Sequence, residues 1–182
     1  MTLTQEHTEA AALMHEASAH LKAGAFEQAI DGFTQCLSLE PADAQAHQGR
    51  AMAYFQLKQW KSAVADFSRA RQLNPADREN WVGLGMSLAM EHRIYDAIET
   101  FETLLSAHPD YVRGHMQLGL LYYQLCATRK GREHMERGLA AHPSLEERRC
   151  IERALSEQKQ LDRKRYYRPD FEALRKQQSG AS

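Results

Sequence analysis

Nine histidines and three cysteines give this chain its widest chemical repertoire: metal ligation, proton transfer and nucleophilic attack. Their spacing fits none of these. His15 and His20 are five apart, which does not place both rings on one helical face. His108 and His142 each stand directly before a proline and read as turn residues. No His-Glu-x-x-His zinc helix, Gly-x-x-x-x-Gly-Lys phosphate loop or Gly-x-Ser-x-Gly elbow occurs anywhere in the sequence. Cys36, Cys126 and Cys150 are odd in number and lack Cys-x-x-Cys spacing. They read as reduced thiols of an intracellular protein, without a disulfide frame or zinc site. We expect no enzyme, no metal and no cofactor.

A second candidate chemistry is nucleic-acid contact by the run Arg163-Lys164-Arg165-Tyr166-Tyr167-Arg168, which mixes phosphate-binding cations with stacking rings. The patch is short and nothing elsewhere extends it, so it reads as a solvated helix end and nucleic acid is not an expected partner. The formal net charge of −1 names no partner either. Its distribution is less even. Before Gln45 the only basic residue is Lys22, against seven acidic ones, and from Arg148 onward basic residues outnumber acidic ones. A hydrophobic content of 43% and a charged content of 26% suit a folded soluble chain. The N-terminus has no basic start followed by an apolar run, and no stretch is apolar for long enough to span a bilayer, so a cytoplasmic protein is expected.

The elements that hold these residues follow a lattice. Pro41, Pro75, Pro109 and Pro143 are each 34 residues apart, and only Pro169 stands off the series. Twelve residues before each lattice proline come Ala29, Ala63, Ala97 and Gly131, and twenty-four before come Ala17, Ala51, Gly85 and Gly119. Small residues there let two helices cross closely. Eight before come Phe33, Phe67, Phe101 and Met135, large groups that fill the space between successive pairs. Residues 78–111 carry the fullest version, with Trp81-Val-Gly-Leu84-Gly85 on a first helix and Ala97 and Phe101 on a second. His47 and His115 occupy the Trp81 position of their repeats and read as half-buried ring residues.

This pattern resembles the tetratricopeptide (TPR) repeat, a 34-residue helix–turn–helix unit. The resemblance implies an all-α, right-handed TPR solenoid with a C-terminal capping helix. Four repeats are expected at 8–42, 43–76, 77–110 and 111–143, after a disordered start at 1–7. Ser144-Leu-Glu-Glu147 has a capping-box sequence and opens the capping helix, 144–161. A basic-aromatic tail follows at 162–182, with a short helix from Pro169.

In TPR proteins the first helix of each repeat lines a concave groove. By that resemblance the groove residues here are Met14 from the first repeat and Gln48, Met52, Phe55 and Gln56 from the second. The third supplies Val82, Met86 and Met90, and the fourth Arg113, Met116, Leu120, Tyr123 and Gln124. Five of the seven methionines fall on this surface, and methionine suits a surface that adapts to its ligand. TPR co-chaperones grip the acidic tails of Hsp70 and Hsp90 with Lys, Asn and Arg. Here the corresponding positions hold Met14, Ser18, Glu79 and Gly83, so that partner is not expected. The expected function is a non-catalytic adaptor or chaperone-like protein that binds an apolar or amphipathic peptide segment. A second reading is a scaffold that forms homo-oligomers or organises a larger, membrane-associated complex through grooves, ends or tail.

Overall fold

The computed structural model describes residues 3–165, with side chains for 7–163. Nine helices follow one another among these residues: α1 (Leu3–Lys22), α2 (Phe26–Leu39), α3 (Ala44–Gln56), α4 (Trp60–Leu73), α5 (Arg78–Met90), α6 (Ile94–Ala107), α7 (Val112–Gln124), α8 (Thr128–Ala140) and α9 (Leu145–Arg165). Each odd helix packs on the next even one to form a repeat, and each even helix packs on the odd helix that opens the following repeat. The array begins at Leu3, inside the stretch expected to be disordered, and α9 continues four residues past its expected end. The helix expected from Pro169 lies outside the described residues. No described helix is long and apolar enough to cross a membrane.

The turn inside each repeat is set by one residue with positive φ, at Gly24 (79°), Lys58 (59°), His92 (63°) and Cys126 (57°), again 34 apart. The following amide closes the helix end each time, as in Ala25 N–H to the His20 carbonyl and Ala127 N–H to the Tyr122 carbonyl, both 2.9 Å. Only the first turn uses glycine. A side chain in the left-handed region costs about 1–2 kcal/mol per residue, while glycine adds back some unfolded-state entropy. Cys126→Gly, at an exposed turn with no packing to lose, is therefore expected to raise stability by about 0.5–1 kcal/mol in urea unfolding. A fall in stability would show that the thiol contributes something beyond the turn.

Between repeats, Asp43 and Asp77 cap α3 and α5 by accepting from the Gln45 and Glu79 amides at 2.7 and 2.9 Å. Ser144 and Glu147 form the expected capping box at α9, with the Ser144 amide donating to Glu147 at 2.9 Å. A third device was not legible as such. The ring at the Trp81 position reaches back to the preceding lattice proline: Trp81 Nε1–H donates to the Pro75 carbonyl at 3.0 Å, His115 Nε2 meets the Pro109 carbonyl at 2.7 Å, and His47 Nε2 meets that of Pro41 at 3.2 Å. Histidine replaces tryptophan here because both present a ring N–H at that reach.

The core follows the lattice. Ala17, Ala29, Ala51, Ala63, Ala97 and Met135 are fully buried, and Phe33, Phe67 and Phe101 nearly so. α9 packs on α7 and α8 and buries Ile151 completely. It closes this end of the array as the expected capping helix.

Candidate binding groove

The groove is built from alternate helices. α1 and α3, with α2 beneath, enclose a pocket of about 440 Å³ lined by Met14, Ser18, Leu21, Phe26, Phe33 and Met52, among others. α3 and α5, with α4 beneath, enclose a second of about 230 Å³ lined by Met52, Phe55, Phe67, Val82 and Met86. Gln48, Met52 and Gln56 line both, so the two form one continuous trough across the first three repeats. Its floor is made by Phe33 and Phe67. Gly49 and Gly83 stand over these rings, where an added Cβ would come within 2.3 Å of Phe33 and 2.4 Å of Phe67. Glycine at these two positions is what allows the rings to sit between helices and still face the trough.

The acidic group of the trough is engaged by its neighbours. Glu79 accepts from Arg113 at 2.6 Å and from the Tyr111 hydroxyl at 2.9 Å. Burial, then the Glu79 carboxylate, push the Tyr111 hydroxyl up to about 12, so it stays a donor. Gln48 donates its amide to Asp77 at 2.9 Å. Lys22 and Arg113 are the only cations among the lining residues, and Arg113 is engaged with Glu79.

Eight residues expected in the groove line this trough: Met14, Gln48, Met52, Phe55, Gln56, Val82, Met86 and Arg113. Val82 is 2% exposed and belongs to the core at the trough's base, so it is not the open contact expected of it. Met90 and Leu120 are exposed but lie outside both pockets, as does exposed Gln124. Met116 and Tyr123 are half-buried against the core of Val112, Met135 and Ile151, to which α9 contributes Ile151. The trough therefore spans repeats one to three, and the fourth repeat contributes chiefly Arg113. The residues missed were the floor phenylalanines, assigned only to packing. Their lattice position, facing Gly49 and Gly83, carried the signal.

A separate crease of about 540 Å³ lies where α6 borders the α7–α8 pair and contains His115 and His134. Their Nδ1 atoms are 3.1 Å apart, and His134 stacks on Tyr122 at 5.6 Å. His115 donates Nε2–H to the Pro109 carbonyl, so its Nδ1 is a lone pair and His134 Nδ1–H is the donor. No group of three or more metal-ligating side chains forms among the described residues. Burial lowers both histidines below the ordinary value of 6.5, with Arg137 acting in the same direction and Glu102 opposing it at His134. The folded state prefers neutral rings, so this contribution is intact above pH 6.5 and is lost as pH falls through the depressed values. The melting temperature followed by circular dichroism is expected to drop from pH 7 towards pH 5, less steeply in His134→Phe. Equal slopes in the two proteins would remove the histidine pair from the explanation.

A tetratricopeptide repeat family model matches residues 44–77, the second repeat of the array. Among solved structures, that of MamA is 20% identical and superposes with a TM-score of 0.70 over 76% of this chain and 81% of that one. The first TPR domain of Spaghetti (RPAP3), bound to the HSP90 peptide SRMEEVD, is 24% identical with a TM-score of 0.61 over 65% of this chain and 94% of that one. The second TPR domain of human RPAP3, in complex with the HSP70 peptide SGPTIEEVD, is 23% identical with a TM-score of 0.61 over 64% and 97%. No curated protein matches the sequence. With nine helices among the described residues on a 34-residue lattice, this chain has the fold of an all-α TPR solenoid.

Proposed function

We propose that this protein is a non-catalytic adaptor that holds an apolar or amphipathic peptide segment of a partner in the trough of its first three repeats. The observation that carries this is the continuous surface of Met14, Met52, Phe55 and Met86 over the Phe33 and Phe67 floor, with Glu79 and Arg113 paired to each other. A ligand entering such a surface gains by burying apolar area, while Gln48 and Gln56 at its edge meet ligand backbone groups. The peptides bound by the two RPAP3 domains end in Glu-Glu-Val-Asp. The trough here presents Glu79 and an occupied Arg113, which disfavour a cluster of ligand carboxylates.

The test is selection of a random peptide library on the folded full-length chain, with SRMEEVD as a competitor. The reading expects enriched peptides with apolar side chains at i, i+3 or i+4, none displaced by SRMEEVD. Enrichment of peptides ending in several carboxylates would replace it with an acidic-tail receptor, and absence of any enrichment would remove the peptide reading.

A further inference from the structure

Four lattice positions recur where the two helices of a repeat meet the second helix of the repeat before. In the second repeat they hold His47, Arg50 and Asp66, with Thr34 on α2. The Arg50 guanidinium ties them together. It donates to the two carboxylate oxygens of Asp66 at 2.7 and 2.9 Å and to the Thr34 hydroxyl at 3.1 Å. In the third repeat the larger Trp81 takes the place of His47, and Arg71 of the preceding helix lies 4.5 Å over its ring. In the fourth repeat the same positions hold His115, Leu118 and His134, with Glu102 on α6. Leu118 is too short to place a polar group where the guanidinium lies in the second repeat. All four residues line the open crease of about 540 Å³.

The crease without an arginine of its own keeps acceptors for one. His115 donates Nε2–H to the Pro109 carbonyl and accepts His134 Nδ1–H, which leaves His134 Nε2 as a lone pair. Glu102 accepts from the Tyr122 hydroxyl through Oε1 at 2.8 Å, and its Oε2 has no partner among the described residues. Asp110 adds a second carboxylate from the turn before α7. Two cations oppose a positive ligand. Lys130 is held over the Tyr122 ring at 5.2 Å, and Arg137 lines the crease from α8. The second repeat shows how the latter is accommodated. There the equivalent residue, Arg69, bonds Gln72 of its own helix at 3.3 Å while Arg50 stays on Asp66.

We propose that the fourth-repeat crease binds a guanidinium group brought from outside the chain, the arginine side chain of a partner peptide, on Glu102 and His134 Nε2. A guanidinium suits the site better than an ammonium because its planar fork donates in fixed directions to two acceptors at once, as Arg50 does. The crease shares no lining residue with the trough, so this site stands whether or not a peptide binds there.

The experiment is an NMR titration of the full-length chain at neutral pH, reading the ring signals of His115 and His134. The probes are a capped Ala-Ala-Arg-Ala-Ala peptide, the same peptide with citrulline for arginine, and methylguanidinium. The arginine peptide is expected to shift both rings saturably and to bind at least about tenfold more tightly than the citrulline peptide, which has the shape without the charge. Glu102→Gln should weaken it by about tenfold. Glu99→Gln removes the same charge from the same helix outside the crease and should leave the affinity unchanged. Both side chains are exposed, so circular dichroism should show both variants folded. No saturable shift, equal binding of the citrulline peptide, or equal losses in the two variants would each overturn the proposal. Methylguanidinium binding as tightly as the arginine peptide would overturn the peptide source and assign the crease to a small guanidinium compound.

Discussion

Phe67→Ala is expected to remove about 3–5 kcal/mol of stability, read as a shift of the urea midpoint followed by circular dichroism. Phe67 is 4% exposed and lies in the core that joins repeats two and three. Its ring fits beneath Gly83, where a side chain's first carbon would collide with it, so the residue directly over the ring has no side chain to fill the space it leaves. The loss would be a large share of the roughly 5–15 kcal/mol that holds a typical domain together. Because each repeat touches only its neighbours, the damage should separate the two halves of the array rather than spread evenly. A broadened or two-step transition is the signature. A shift below about 1 kcal/mol would mean that the trough collapses over the gap, which the Gly83 geometry opposes.

The second large effect is on binding. Met86→Glu should lower the affinity of peptides selected on the native chain by about 100-fold or more, since a carboxylate would be buried against an apolar ligand without a partner. Met86 lines the trough beside Met52 and Phe55, and Glu79, seven residues before it in the same pocket, already holds the nearby cation Arg113. Met90→Glu is the control: Met90 is 48% exposed on the same helix but outside both pockets, and its loss should be several-fold smaller. Titration by fluorescence anisotropy gives both numbers. Equal losses would place the ligand along the whole helix face instead of in the trough.

The lattice made the fold legible because packing at each point depends on residue size alone. Small residues at Ala29 and Ala63 and phenylalanines at Phe33 and Phe67 are sequence features before they are contacts. The site was read less completely. Helix spacing placed Val82 with Met52 and Met86 on one stripe, but a stripe cannot tell which of its residues the next repeat covers, and Val82 is covered. For the same reason Met116 and Tyr123 looked open until α9 was seen to add Ile151 to the core they pack against. The Glu79–Arg113 bond joins two residues 34 apart, hence equivalent points on adjacent repeats, and so was open to inference from spacing plus opposite charge. The His115–His134 pair was not. Nothing in the spacing of two histidines 19 apart shows that one donates to the other, because that follows from the Pro109 carbonyl fixing the first ring.

The back-bond from Trp81 to Pro75 has an optical consequence. The chain's two tryptophans, Trp60 and Trp81, both sit in the middle of the array, one edge-on to Phe55 at 5.0 Å and the other tied to the turn before α5. Intrinsic emission therefore reports on repeats two and three and is blind to fraying at α1 or α9. In a heated or urea-treated sample, the emission change should trail the loss of ellipticity. The interval between the two curves measures how far the ends melt before the centre gives way.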